Sequence, residues 1–300
     1  MSDRGPLVKS AYDLEEEYRK YVRSADSNAV DLGCWLPSLR DHVRPMLPGE
    51  VVVVMADTGH GKTAILQNIA VACRNADVLL FELELPGVLC FERFSALTNK
   101  MTQAEVEQDY KTGHVLNKGP FDHVYTCDQS GLTIEKISEI VDEYQRSGEQ
   151  YGIVMIDYMG LISGVGSRYE RLSDIAEKVK VLAKESNTVV VASTQVHRKG
   201  DEYPHELFIH DAKDSGSIEN SAGLLLGAWK EPKSAEDIEN CAPDYLCVKI
   251  LKNTKGEPGH MIRCVCDWSR MRISEEAPRV IAEPWVSEMD EQLEGGRALL

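Results

Sequence analysis

No stretch of the 300 residues stays apolar for the roughly 18 positions that a membrane-spanning helix needs. The opening Met1-Ser2-Asp3-Arg4-Gly5-Pro6 lacks the apolar heart of a secretory signal. These two absences predict a cytoplasmic protein without a membrane partner. The eight cysteines lack the paired spacing of a zinc site. The closest two, Cys264 and Cys266, fall on one face of a strand, which reads as packing. All eight are expected to be reduced thiols, with no structural zinc. Internal repeats and low-complexity blocks are missing as well. Positive charge is scarce: 33 Lys and Arg stand against 49 Asp and Glu, for a net charge of −16. That excludes coating nucleic acid by bulk charge. It leaves room for a few basic loops in a confined channel, where local charge decides.

What is present is ordinary for a folded α/β chain, with 43% hydrophobic and 27% charged residues. Residues 11–22 predict an amphipathic helix, because Leu14, Tyr18, Tyr21 and Val22 recur on one face. Its apolar stripe needs a cover, which either this chain or a neighbouring subunit could supply. Ser24–Asn28 reads as a polar linker. Strand-like and helix-like runs then alternate. Val51–Met55, Val78–Phe81, Ile153–Ile156 and Val189–Ala192 are unbroken apolar runs, as strands buried on both faces require. Helices are predicted after Lys62, after an N-cap at Thr133, and near Leu172–Ser186. This alternation predicts a mostly parallel twisted sheet with helices on both faces. Leu224–Trp229, Leu246–Leu251 and Met261–Cys266 have short connections and little helix signal between them and read as hairpin-linked strands that extend the sheet, which puts antiparallel strands at its C-terminal end. Residues 275–300 carry more acid than base and two prolines, and are expected to be a disordered acidic tail. The expected organisation is an N-terminal arm over 1–30, an α/β domain over 31–274 and the tail.

The chemistry concentrates at Ala56-Asp57-Thr58-Gly59-His60-Gly61-Lys62-Thr63-Ala64, between a buried strand and a helix. In that order the backbone N–H groups of the loop and the helix N-terminus can surround a phosphate. Gly59 and Gly61 permit close backbone approach. Lys62 would reach the β- and γ-phosphates, and the Thr63 hydroxyl would ligate Mg²⁺. A glycine usually opens this pattern, and Ala56 stands in that place. Asp157 closes the apolar run Ile153–Ile156 and suits a carboxylate that holds Mg²⁺ through water. Glu82 and Glu84 follow the second strand, and either could activate the attacking water. Strand alternation puts both on one side, and spacing does not choose between them. The cofactors expected are ATP and Mg²⁺.

These motifs together resemble the RecA-like motor domain of bacterial and phage replicative helicases of the DnaB type, over roughly residues 30–274. Glu82-Leu83-Glu84-Leu85-Pro86 is similar to the family's Ser-Leu-Glu-Met-Pro-like run, which implies Glu84 as the catalytic glutamate. Ala192-Ser193-Thr194-Gln195-Val196-His197-Arg198 resembles the sensor strand, which implies that Gln195 detects the γ-phosphate. Asp128–Ile134 and Ile156–Ile162 resemble further family segments. Asp214-Ser215-Gly216-Ser217-Ile218-Glu219-Asn220 is close to the family's Glu-Ser-Gly-Ser-Ile-Glu-Gln signature. The resemblance implies two loops that grip single-stranded DNA. One is Gly164–Asp174, with Arg168 and Arg171. The other is His197–Gly216, with Arg198, Lys199, Lys213 and Gly216. It also implies that the leading helix docks on the next subunit and builds a ring, expected to be a hexamer. A replication loader or primase partner follows from the same resemblance, although the family's collar domain, where primase binds, is not among residues 1–30. A late Lys-x-Arg pair in the family reaches the neighbour's γ-phosphate. Here Lys252 matches the lysine, Thr254 replaces the arginine, and Lys255 follows, so slow turnover is expected. The expected function is an ATP-driven motor on single-stranded DNA in replication, in a bacterial or phage-infected cell. The alternatives are an ATP-binding scaffold or regulator with little hydrolysis, and a recombinase or clock-type relative.

Overall fold

The computed structural model describes residues 8–147, 151–196, 206–211 and 215–276. Its elements in chain order begin with α1 (Ala11–Asn28), β1 (Val51–Ala56), α2 (Lys62–Ala72), β2 (Asp77–Glu82), α3 (Gly87–Asn99), α4 (Gln103–Lys111) and β3 (Val124–Cys127). They continue with α5 (Ile134–Arg146), β4 (Tyr151–Asp157), α6 (Arg168–Ser186), β5 (Val189–Gln195), α7 (Ser215–Ser221) and β6 (Leu224–Lys230). The chain closes with α8 (Ala235–Glu239), β7 (Asp244–Asn253), β8 (Met261–Asp267) and β9 (Arg272–Glu275).

One nine-stranded sheet runs in the order β3-β2-β4-β5-β1-β6-β7-β8-β9. The first six are parallel, and β7, β8 and β9 add antiparallel at one side. All six residues of β1 are buried, and they alternate between two cores. Val52, Val54 and Ala56 meet Ile65, Leu66 and Ile69 of α2 and Phe94 of α3. Val51, Val53 and Met55 belong with Ile137 of α5, Leu172 and Val179 of α6 and Ile218 of α7. Helices therefore cover both faces, as the unbroken apolar runs predict. Cys264 and Cys266 are buried on one core face of β8, and all eight cysteines are free thiols. Among the described residues no helix is long and apolar enough to cross a membrane.

Several expectations need correction. Ser24–Asn28 is not a linker but the last part of α1. The helix over Leu172–Ser186 starts four residues earlier, because Ser167 caps it: its hydroxyl accepts from the Glu170 N–H, and the Glu170 carboxylate accepts from the Ser167 N–H. Helices α3 and α4 and the edge strand β3 are not among the expected elements. β3 spans four residues and only half meets the core, so it lacks the long apolar run that marks the central strands. Glu275 and Glu276 belong to the fold and not to the expected tail, since Glu275 closes β9 and Glu276 pairs with Arg263. The rest of that tail lies outside the described residues.

Candidate functional site

The C-terminal edge of the parallel strands carries the site. β1 lies between β5 and β6, and the chain leaves it at Ala56 into Asp57–Gly61. Gly59 and Gly61 take φ of +78° and +79°, a region that L side chains avoid. Gly61 occupies the N-cap of α2 and offers no side chain, so no side chain caps the first N–H groups of the helix, which could receive a phosphate. A Cβ on Gly61 would also lie 2.8 Å from the Trp268 ring, so a side chain there is excluded twice over. Lys62 is buried, and its ammonium donates to the Asp57 carbonyl at 2.9 Å. Burial lowers its pKa, while Asp157, then Glu84 and Asp57, pull it back. The amine thus rests in the loop, within the field of three carboxylates. Thr63 follows it, half-buried, in the first turn of α2.

Asp157 ends β4 and is fully buried. Its Oδ1 accepts from Ser193 Oγ at 2.5 Å, whereas its Oδ2 has no hydrogen-bond partner among the described residues. A buried, unpartnered carboxylate oxygen is costly unless something else satisfies it. Together with the glycine-lined cradle, it fits a triphosphate and a divalent cation held through Thr63 and Asp157. Gln195 closes β5 in register with Ala56, so it stands beside the start of the loop.

The structure separates the two glutamates that spacing leaves open. β2 ends at Glu82, so strand alternation does not reach Glu84. Glu82 is buried, in register with Asp157 on the neighbouring strand, and its carboxyl is pushed up to about 7 by burial first and by Asp157 second. Glu84 is exposed at this edge and contributes to the field on Lys62. Two further neighbours of the loop have no counterpart in the sequence reading. Trp268 packs on Gly61, and the Lys230 ammonium lies 4.3 Å from the Trp268 ring centroid. No local signal marks either, since both come from the far antiparallel end of the chain.

The family model for the DnaB-like helicase C terminal domain matches residues 35–267, more than half of the chain. The chain belongs to this family. Among curated relatives, the replicative DNA helicase DnaB of Mycoplasma genitalium is 28% identical over 235 residues, covering 71% of this chain and 49% of its own length. The Helicobacter pylori DnaB is 27% identical over 242 residues, covering 75% of this chain and 48% of its own. The chain therefore spans about half the length of the curated relatives it matches. Among solved structures, an isolated ATPase domain superposes with a TM-score of 0.71 at 19% identity, covering 90% of this chain and 100% of that one. A DnaB-like replicative helicase studied with primase superposes at 0.69 and 19% identity, covering 90% of this chain and 68% of that one. The RecA-like ATPase fold is thereby shown.

Other residues singled out in this DnaB-type domain lie apart from the loop. Lys252 pairs in register with Leu225, near the N-terminal end of β1, so it sits at the opposite edge of the sheet. Its ammonium donates to the Glu219 carbonyl, and Lys255 pairs with Glu50. Neither can meet the phosphate loop of its own chain. The segment Gly164–Asp174 is a loop only as far as Ser167, because Arg168–Asp174 belong to α6. Arg168 is exposed at the helix start. Arg171 instead folds back, with its stem near Gly164 and Nη2 donating to the Gly160 carbonyl at 3.4 Å. Gly216 is exposed in α7. Arg198, Lys199 and Lys213 lie outside the described residues.

Proposed function

We propose that this domain hydrolyses ATP with Mg²⁺ and drives translocation along single-stranded DNA in replication, as a subunit of a ring. One observation carries the reading: in a DnaB-family domain, the glycine cradle of Asp57–Lys62, the unpartnered Asp157 Oδ2 and the exposed Glu84 meet at one sheet edge. Bound Mg²⁺ would neutralise charge on the transferring phosphoryl group. The N–H groups from Thr58 to Ala64 bind the phosphates. Thr63 and Asp157 hold the cation. Lys62 leaves the Asp57 carbonyl for the phosphate oxygens, Glu84 orients the attacking water, and Gln195 reads the γ-phosphate at the edge it shares with Ala56. Arg168, Arg171, Arg198, Lys199, Lys213 and Gly216 are assigned to the DNA path, with Arg171 the least accessible of the described ones. Residues 1–30 serve as the arm that joins subunits into a ring of six, 31–276 as the motor and 277–300 as a tail. A loader or primase is the fitting partner and the cytoplasm the fitting compartment.

Lys62→Ala is expected to abolish nucleotide uptake and all DNA-stimulated hydrolysis, measured by titration and phosphate release. Wild-type hydrolysis that single-stranded DNA leaves unchanged, with no unwinding at any protein concentration, would end the motor reading. A second reading is an ATP-binding scaffold of the same family with little turnover. It is favoured by Thr254, which cannot supply a guanidinium, and by the engagement of Lys252 and Lys255 within their own chain. Rapid DNA-stimulated turnover excludes it.

A further inference from the structure

Glu82 stands where the chain turns from strand to site. It is the last residue of β2, and its register partner is Asp157. The next N–H, from Leu83, donates to the Asp157 carbonyl at 2.9 Å, so the strand pairing holds the chain for one more residue. Beyond that point the backbone must leave the sheet, and its N–H groups lose their strand partners. Glu82 Oε1 takes over two of them: it accepts from the Glu84 N–H at 3.2 Å and from the Leu85 N–H at 3.1 Å. The acceptor sits on a side chain that is 1% exposed, so water does not readily substitute for it. Its Oε2 has no partner among the described residues, so the protein holds this carboxyl at a desolvation cost rather than a gain. A buried polar group retained against stability, with its one engaged oxygen on the amide of a proposed catalytic residue, invites a functional account.

We infer that Glu82 is a positioning residue for hydrolysis, whose Oε1 shapes the turn at 83–85 and so aims Glu84 at the attacking water. The inference rests on the proposed reading of Glu84 as the water-orienting carboxylate. Lys62 and Tyr158 both lie within the field of Glu84, so the turn presents this carboxylate on the side of the glycine loop. A misplacement of about 1 Å at such a group costs on the order of 100-fold in rate. What matters is the acceptor oxygen and not a full negative charge. Both bonds from the turn end on Oε1, and a glutamine of the same length keeps an oxygen at that place.

The test compares Glu82→Ala with Glu82→Gln in the full chain, measuring kcat, KM and nucleotide affinity, with Glu84→Gln as the reference for lost chemistry. Glu82→Gln keeps an oxygen that can face the two amides and is expected to retain turnover within about 3-fold of wild type. Glu82→Ala is expected to lower kcat by about 10- to 100-fold, with nucleotide affinity changed less than about 2-fold. Amide exchange adds a readout independent of turnover: the Glu84 and Leu85 N–H groups should lose protection in Glu82→Ala and keep it in Glu82→Gln. Normal kcat in Glu82→Ala, or a Glu82→Gln variant as impaired as Glu84→Gln, overturns the inference alone. No hydrolysis by the wild type overturns the proposed function and this inference with it, and the two failures are thereby told apart.

Discussion

At the scale of single residues, the site is a contest between burial and charge. Lys62 at the start of α2 and Glu82 at the end of β2 are both buried, and burial disfavours the charged form of each. For Glu82 the consequence is measurable. Its folded pKa of about 7 exceeds its ordinary value of 4.5. Between those values the folded state binds more proton than the unfolded state, so stability falls as pH rises. The effect is complete above about pH 7 and is of order 1–3 kcal/mol. Glu82→Gln should remove this slope: without nucleotide and metal, urea unfolding at pH 5 and pH 8 would show the variant gaining on wild type at the higher pH. Parallel stability profiles would contradict the assignment. Asp157 and Ser193 divide their groups in a similar way. One carboxylate oxygen is satisfied by a hydroxyl, and the other has no partner among the described residues, where the proposed cation would sit.

At the scale of elements, each functional side chain is delivered by the end of a strand or the start of a helix. Ala56, Glu82, Asp157 and Gln195 all stand at the C-terminal ends of parallel strands, where ligands of α/β sheets gather. Helix α6 begins with a reciprocal cap between Ser167 and Glu170, and this fixes where Arg168 emerges. Ser167→Ala is expected to cost about 1 kcal/mol of stability. A lower urea midpoint with unchanged nucleotide affinity is the expected result, and loss of nucleotide binding would contradict it. The elements that escape sequence reading do so for physical reasons. α3 follows Pro86 with Val88 and Leu89 exposed and Cys90 and Phe94 buried, so its apolar residues do not form one clean stripe. β9 is four residues long, and its place depends on pairing with β8. α4, by contrast, carries a capping box at Thr102 and Glu105 that is legible in the chain, but it buries only Val106 and so has no apolar stripe to follow it.

At the scale of the whole molecule, α1 leaves its apolar residues uncovered. Tyr12 is 85% exposed, Leu14 52% and Tyr18 64%, while Tyr21 is partly buried near Glu50 and Arg44. The described residues of this chain leave Tyr12, Leu14 and Tyr18 largely in solvent, as the proposed docking on a neighbouring subunit requires. The ion pairs Glu15–Arg19 and Glu16–Lys20 on the same helix are exposed and add little. Replacing Leu14 and Tyr18 together by Asp should turn a ring into monomers in sedimentation experiments, with the far-ultraviolet dichroism of the core unchanged. A ring that survives the double substitution at the same concentration would refute this role for α1. The Lys252–Lys255 segment belongs to the same scale. Lys252 and Lys255 are engaged within their own chain, so under the proposed ring their nucleotide contact is expected at a neighbour's site.

The parallel core, the glycine loop between β1 and α2, the place of Asp157 at the end of β4 and the cap at Thr133 could be read from the chain, because each depends on residues adjacent in sequence. Val51–Met55 predicts a buried strand by its composition alone, and Gly59-His60-Gly61-Lys62-Thr63 needs no distant partner to be recognised. The parting of Glu82 from Glu84, the Trp268 ring on Gly61, the hydroxyl of Ser193 on Asp157 and the fold-back of Arg171 belong to the tertiary structure. Each depends on where a strand stops or on a contact between separate elements, and local patterning carries no information about either.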